Sequence, residues 1–186
     1  AALPPPQGPA LTSSQLASLT PAEARALTSA AVASLSTEQI ASLTSAHVAS
    51  LSSAQVAKLT TDQVAALETS DLQALSTLNV RALTTAGAAA LTTDQLVALT
   101  SAQIAALTSS QVSALSSDQV SAIQTSDISA LTTSNVRALT SSAVAALTTE
   151  QISAMSSAQI AALATSQVAA LATDQVASIQ TADLAA

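Results

Sequence analysis

Few side chains in this sequence could take part in chemistry, and they stand far apart. His47 is the only histidine, and there is no cysteine. Serine and threonine are abundant, but a hydroxyl nucleophile needs an adjacent base and a group that orients that base. A single histidine provides this for no particular serine, so we predict that the chain is not an enzyme. With no ligand set at metal spacing around it, His47 is predicted to be a variant on the surface.

The acidic residues occur singly rather than in pairs. General acid–base catalysis by carboxylates would place two acids close together, and Asp127 and its equivalents stand one to an octapeptide. A calcium site needs several oxygen ligands that converge, as in an EF-hand loop. The sequence therefore predicts no catalytic, cofactor-binding or metal-binding residues and no cofactor.

The elements that must position these residues come from a repeat of eight. From Leu11 the chain divides without insertion into twenty-two octapeptides, which cover residues 11–186. Position 1 is almost always Leu, position 3 is Ser or Thr except at Pro21, and position 6 is mainly Val or Ile. Residues 1–10, AALPPPQGPA, are predicted to be a proline-rich leader or linker.

The octapeptide favours a short helix over a strand. Ser or Thr at position 2 followed by Gln or Glu at position 5 is typical of a capping box, and Thr20, Pro21 and Glu23 give the clearest case. A strand would point positions 1 and 6 to opposite faces and would expose one apolar row. One continuous helix is excluded, because at about 100° per residue an eight-residue repeat makes the apolar stripe spiral round the axis.

The predicted fold is therefore an all-α solenoid of very short capped helices, one per octapeptide. Helices are expected between positions 3 and 8, with positions 1 and 6 buried, as at Leu107 and Val112, and with position 4 exposed, as at Asp94 and Asp118. Isolated helices of this length are unstable, so neighbouring coils must stabilise them. Whether position 2 or position 3 is the cap stays open, because the hydroxyl at position 3 is kept more strictly.

A longer, 56-residue period, equal to seven octapeptides, lies over the repeat. Asp71 and Asp127 obey it, and so do Arg81 and Arg137. One interpretation is duplication of a gene segment without geometric meaning. The other is that seven octapeptides complete a whole number of superhelical turns, such as two turns of three and a half octapeptides.

The same period predicts ion pairs. Arg81 follows one octapeptide after Asp71, and Arg137 follows one after Asp127, so each pair is expected at the surface or between coils or subunits. The small residue in the next octapeptide, Gly87 in the first case, is expected to leave room for the guanidinium group.

Charge and hydropathy restrict the partners. The net charge is −7 and there are only four Lys and Arg residues, so we predict no nucleic-acid binding, which needs a basic patch. No stretch of eighteen apolar residues occurs, so no membrane span is predicted. Self-association into a fibre is a further expectation.

Two resemblances add to this interpretation. The octapeptide Leu91-Thr-Thr-Asp-Gln-Leu-Val-Ala98 resembles the opening helix of transcription activator-like effector repeats, which read LTP-x-QVVAIAS. The second helix and the base-reading loop of that family are missing, so only the helix start is implied. Residues 11–186 resemble octapeptide tracts of very large, repetitive, adhesin-like bacterial surface proteins, which implies a cell-surface or extracellular location.

The predicted function is a structural one: a stalk, spacer or filament of a bacterial extracellular or cell-surface protein. The alternative is a repeat module that recognises a protein, a glycan or ice through its rows of Ser, Thr and Gln. A scaffold or tape-measure protein inside the cell is a third hypothesis.

Overall fold

The computed structural model describes residues 11–180, and between them every regular element is an α-helix. The described residues form two compact units, one ending at Leu99 and one beginning at Thr100. The helices of the first unit are α1 Ser13–Ala17, α2 Pro21–Ala26, α3 Ser29–Ala33, α4 Thr37–Ala41, α5 Ser45–Ser50, α6 Ser53–Val56, α7 Thr61–Ala65, α8 Thr69–Ala74, α9 Thr77–Ala82, α10 Thr85–Ala89 and α11 Thr93–Ala98. Those of the second unit are α12 Ser101–Ala106, α13 Ser109–Ser113, α14 Ser117–Ala122, α15 Thr125–Ile128, α16 Thr133–Ala138, α17 Ser141–Ala145, α18 Thr149–Ser153, α19 Ser157–Ala161, α20 Thr165–Val168 and α21 Thr173–Ser178.

Each octapeptide makes one helix, and the start of that helix is the same in every repeat. All the described helices begin at position 3 and end between positions 6 and 8, as predicted. The residue at position 2 is the N-cap: Thr60, for example, is extended, with φ −75° and ψ 165°. Pro21 therefore occupies the first helical position of α2, where its missing N–H costs nothing. This answers the open question of the cap in favour of position 2.

Two extended residues make the corner between successive helices. At the end of α9, Leu83 has φ −54° and ψ 138°, so the helix stops there while its N–H still bonds to the carbonyl of Val80. The next residue, Thr84, is also extended and caps α10. The helices are too short to be stable alone, so the corner depends on the packing of the apolar residue at position 1.

The core consists of positions 1 and 6, as predicted. Leu99, Ile104, Leu107 and Val112 are all buried, and the acids at position 4, such as Asp118, are exposed. A single Leu and a single Val or Ile per octapeptide make a thin core that runs along each unit. No aromatic residue is needed, because every layer of the core repeats the one before it.

The helices stack in coils, and the spacing is constant within each unit. A helix packs against the third helix after it: in the first unit α2 packs on α5 and α5 on α8, and in the second α14 packs on α17 and α18 on α21. Hydrogen bonds between coils join residues 28 apart, as from Gln63 to the carbonyl of Leu35 and from Gln159 to that of Leu131. One coil therefore contains about 28 residues, or three and a half octapeptides.

The 56-residue period thus equals two coils within each unit. Residues separated by one such period lie over one another after two turns, which supports the geometric interpretation of the super-repeat. The assignment of residues 11–186 to a single solenoid stays a prediction, and residues 1–10 and 181–186 lie outside the described part.

Candidate functional site

The most repeated polar feature of the molecule is the buried side chain at position 5. In a typical octapeptide it is Gln63, which is 2% exposed. Its Oε1 accepts a hydrogen bond of 2.9 Å from the backbone N–H of Thr60, and the Thr60 hydroxyl accepts one of 3.2 Å from the backbone N–H of Gln63. These two bonds form the predicted capping box and satisfy N–H groups that the helix leaves free.

The other end of the same amide joins two coils. Nε2 of Gln63 donates to the carbonyls of Val32, at 2.9 Å, and Leu35, at 2.7 Å. Both carbonyls belong to the end of α3 and the corner that follows it, where a helix leaves acceptors without partners. One glutamine therefore completes the start of its own helix and the end of a helix in the preceding coil.

This arrangement recurs along both units, and we call it the amide ladder. Its members share burial, an Oε1 that accepts from the cap N–H, and an Nε2 that donates to the preceding coil. The glutamines with both bonds are Gln39, Gln55, Gln63, Gln95, Gln151, Gln159, Gln167 and Gln175. The sequence predicts the capping half of the ladder; the half between coils is new.

His47 belongs to the ladder, and the prediction that it lies on the surface is wrong. It is 3% exposed. Its Nδ1 accepts from the backbone N–H of Thr44 at 3.2 Å, and its Nε2 lies 2.6 Å from the carbonyl oxygen of Leu19. Because the amide of Thr44 can only donate, the Nε2 atom carries the proton and donates to Leu19. The imidazole thus takes the place of the glutamine amide.

Asn79 and Asn135 form shorter rungs. Nδ2 of Asn79 donates to the carbonyl of Leu51 at 2.7 Å, while Oδ1 accepts from the hydroxyl of Ser53 at 2.9 Å. Nδ2 of Asn135 donates to Leu107 at 3.0 Å. With one methylene fewer than glutamine, asparagine keeps the bond to the preceding coil. Neither helix has a complete capping box, because only the cap hydroxyl of each accepts a bond.

Asp71 and Asp127 place a carboxylate in the ladder, and they are 2% and 4% exposed. Oδ1 of Asp71 accepts from the hydroxyl of Ser45 at 2.7 Å, and Oδ1 of Asp127 accepts from Ser101. Both serines stand at position 3 of an octapeptide in the preceding coil. Oδ2 of Asp71 is buried and has no hydrogen-bond partner among the described residues. A carboxylate has no N–H for the helix-end carbonyls, so this rung is incomplete.

The caps of these two helices differ as well. Glu68 and Gln124 replace the hydroxyl residue at position 2, and neither makes a side-chain cap bond. A local signal thus accompanies the aspartates: where position 5 is Asp, position 2 is not Ser or Thr. A second signal is a serine at position 3, 26 residues before each of the two aspartates. Sequence reasoning missed this one, because the size of a coil is not visible in a single octapeptide.

The ion pairs predicted from the 56-residue period are placed as follows. Asp71 and Asp127 lie inside the solenoid rather than on its surface, and Arg81 and Arg137 are exposed. An ion pair between them stays a prediction. A third position of the period, Gly87, is considered next.

The small residue in the ladder does not border on an arginine. A Cβ atom on Gly87 would lie 3.2 Å from the Thr84 hydroxyl oxygen and 3.5 Å from a methyl group of Val64, with Leu83 as the next neighbour. Ala143 occupies the corresponding place in the second unit and is buried. The expected space is therefore filled by the cap of the same helix and by a valine of the preceding coil.

Hydrogen bonds at the helix starts also lower the pKa of three exposed glutamates. The backbone N–H of Thr20, and then its hydroxyl, lower the pKa of Glu23. The hydroxyl of Ser36 is the main cause of the lowered pKa of Glu38, and the backbone N–H of Glu150 is the main cause for that residue. These groups favour the charged form, as expected in the first turn of a helix.

Within the described part of the chain, no three His, Cys, Asp or Glu side chains are grouped so that they could hold a metal ion. No helix between residues 11 and 180 combines the length and the hydropathy that spanning a bilayer requires. The polar side chains that are buried serve the caps and the contacts between coils.

These observations define a class of protein: a tandem repeat of short helices that stack into coils through buried amides. The chain belongs to the ALTTAQ repeat family. The family model matches seven overlapping stretches: 9–45, 22–52, 42–69, 64–101, 94–122, 120–157 and 152–181. A search of curated proteins returns no match.

Proposed function

We propose that this chain is a non-enzymatic structural protein that serves as a spacer, stalk or filament segment. The observation that carries the proposal is the amide ladder. Gln63 and Gln159 each bond to the cap of their own helix and to the helix end 28 residues earlier. Each coil thus provides both halves of the interface to its neighbours, and a fold of this kind lengthens by simple repetition.

The chemistry of the side chains supports an exposed, long-lived material. The sequence has no cysteine, no aromatic residue and a single methionine, Met155, so few groups can be oxidised. The exposed positions carry mainly Ser, Thr and Ala, and charged residues make up 8% of the chain. Together with the resemblance to octapeptide tracts of adhesin-like proteins, this favours the surface of a bacterial cell or the extracellular space.

Immunogold electron microscopy of the producing cells tests the proposal. Antibodies against residues 11–180 should label the cell surface or filaments that extend from it, and a strain without the gene provides the control. Label confined to the cell interior would contradict the proposed location and would favour an intracellular scaffold.

A further inference from the structure

The two faces of a coil differ, because positions 5 and 6 point in opposite directions along the stack. At the start of the first unit, Gln15 is exposed, whereas Gln63, which has a coil before it, is 2% exposed. Leu16, beside Gln15, is nevertheless fully buried. The position-5 side chain therefore needs a preceding coil to cover it, while the position-6 side chain is covered by the coil that follows.

The last described coil of the second unit shows the opposite pattern. Gln167 and Gln175 are 2% and 4% exposed, but their neighbours Val168 and Val176 are 49% and 45% exposed. The equivalent Val144, one coil earlier, is fully buried. This face offers uncovered valines where every interior coil has a neighbour.

We propose that these two faces bind each other, so that the first coil of one copy packs head-to-tail on the last described coil of a second copy. The contact continues an interface that the fold already uses: valines from one side, amides from the other. The amide of Gln15 has the chemistry to reach carbonyls such as those of Val168 and Leu171, which occupy the octapeptide positions of Val32 and Leu35. The inference rests on the structural role proposed above and specifies its partner, a second copy of this chain.

Glu23 limits the strength of this contact. It stands at position 5 of the first coil and is exposed, and its carboxylate accepts from the backbone N–H of Thr20 at 2.8 Å. Unlike a glutamine it cannot donate to a carbonyl of the second copy, and burying its charge is unfavourable. Association of the natural chain is therefore weak, and Glu23→Gln strengthens it.

Analytical ultracentrifugation of the 186-residue chain tests the proposal with three variants. The first is Glu23→Gln. The second adds Gln15→Glu to it, which keeps the cap acceptor but removes the donor. The third adds Val168→Lys and Val176→Lys to Glu23→Gln. All these residues are exposed, so circular dichroism should show an unchanged fold.

Glu23→Gln should associate at least about tenfold more tightly than the natural chain, and each blocked form should lose at least about tenfold. Mixing the two blocked forms should give one-to-one dimers and no larger species, because each retains one intact face of a head-to-tail contact.

The inference is overturned if Glu23→Gln stays monomeric at millimolar concentration, or if the mixture of blocked forms does not dimerise. Either result leaves the spacer role intact, since one chain can act as a spacer without associating. That role is judged by the microscopy described above.

Discussion

Two adjacent octapeptides of the first unit, one with Gln63 and the next with Asp71, solve the same local problem differently. Gln63 accepts from its cap and donates to two carbonyls of the preceding coil. Asp71 accepts from Ser45, leaves the helix cap without a side-chain bond, and has a buried oxygen without a hydrogen-bond partner. An amide joins coils because it has a donor and an acceptor on one group; a carboxylate only accepts.

The comparison also shows what an irregular rung can contribute. In each unit the sequence Asp, Asn, small residue recurs at position 5, beginning at Asp71 and Asp127. Since the 56-residue period equals two coils, these irregular rungs lie in corresponding places. A ladder of identical glutamines would allow coils to slip by one octapeptide, whereas an Asp that requires a Ser 26 residues earlier specifies one pairing.

The largest expected effect comes from giving an interior rung a carboxylate. Gln63→Glu keeps the cap acceptor but loses the bonds to Val32 and Leu35 and buries a charge. We expect the free energy of unfolding to fall by about 3–5 kcal/mol. Urea denaturation followed by circular dichroism measures it.

The matched control is the same substitution in the first coil. Gln15→Glu changes an exposed side chain and should cost less than about 0.5 kcal/mol. Equal losses at both positions would show that the contact between coils contributes nothing to stability.

Next in size is the core. Leu107 is 3% exposed, and Leu107→Ala should cost about 2–5 kcal/mol because it leaves a cavity between layers. Asp118 is exposed in the same unit, and Asp118→Ala should cost less than about 0.5 kcal/mol. The assignment of the core would be contradicted by similar denaturation midpoints for the two variants.

Replacing the carboxylate by an amide should repair the incomplete rung. Asp71→Asn keeps an oxygen for the Ser45 hydroxyl and adds a donor like that of Asn79, which bonds to Leu51. Removing a buried unsatisfied acceptor should raise the free energy of unfolding by about 1–3 kcal/mol.

The reverse change, Asn79→Asp, is the control and should destabilise the chain. Thermal unfolding of both variants gives the two shifts. A loss of stability in Asp71→Asn would mean that the free oxygen of Asp71 has a partner in solution, such as a cation.

A smaller gain is expected at His47, whose ring bonds to one carbonyl of the preceding coil, that of Leu19. Gln55, in the next octapeptide, bonds to the carbonyls of Ala24, Arg25 and Leu27. His47→Gln should therefore add about 0.5–1.5 kcal/mol. The comparison with His47→Ala, which removes the rung and should destabilise, distinguishes a ladder member from a neutral position; equal stability of the two variants would exclude the role.

The local part of this fold is predictable from the sequence. The cap at Thr20, the Pro at position 21 and the acceptor of Glu23 all lie close together in the chain, so the helix start requires no knowledge of the rest of the molecule. The burial of Leu107 and Val112 follows from the eight-residue apolar pattern in the same way.

The contacts between coils are less accessible. The burial of His47 and the pairing of Ser45 with Asp71 depend on the number of residues in a coil, which is set by the angle at each corner. The sequence does contain a trace of that number. Ser45 and Ser101 both stand 26 residues before an aspartate. Ser157 stands at the same distance before Asp183.

The smallest expected effect concerns the exposed glutamates at the helix starts. Hydrogen bonds lower the pKa of Glu38 and Glu150 below the ordinary value of 4.5. A group whose pKa is lowered on folding stabilises the folded chain above its ordinary value and loses that contribution as the pH falls through the lowered one. The melting temperature should therefore fall as the pH drops below 4.5, and by less in the double variant Glu38→Gln and Glu150→Gln. Melting curves recorded between neutral and strongly acidic pH measure the difference, which stays small because both side chains are in solvent and salt screens them. Parallel acid profiles for the two proteins would show that these first-turn charges do not contribute, and that stability at the helix starts depends on the neutral capping bonds such as that between Thr60 and Gln63.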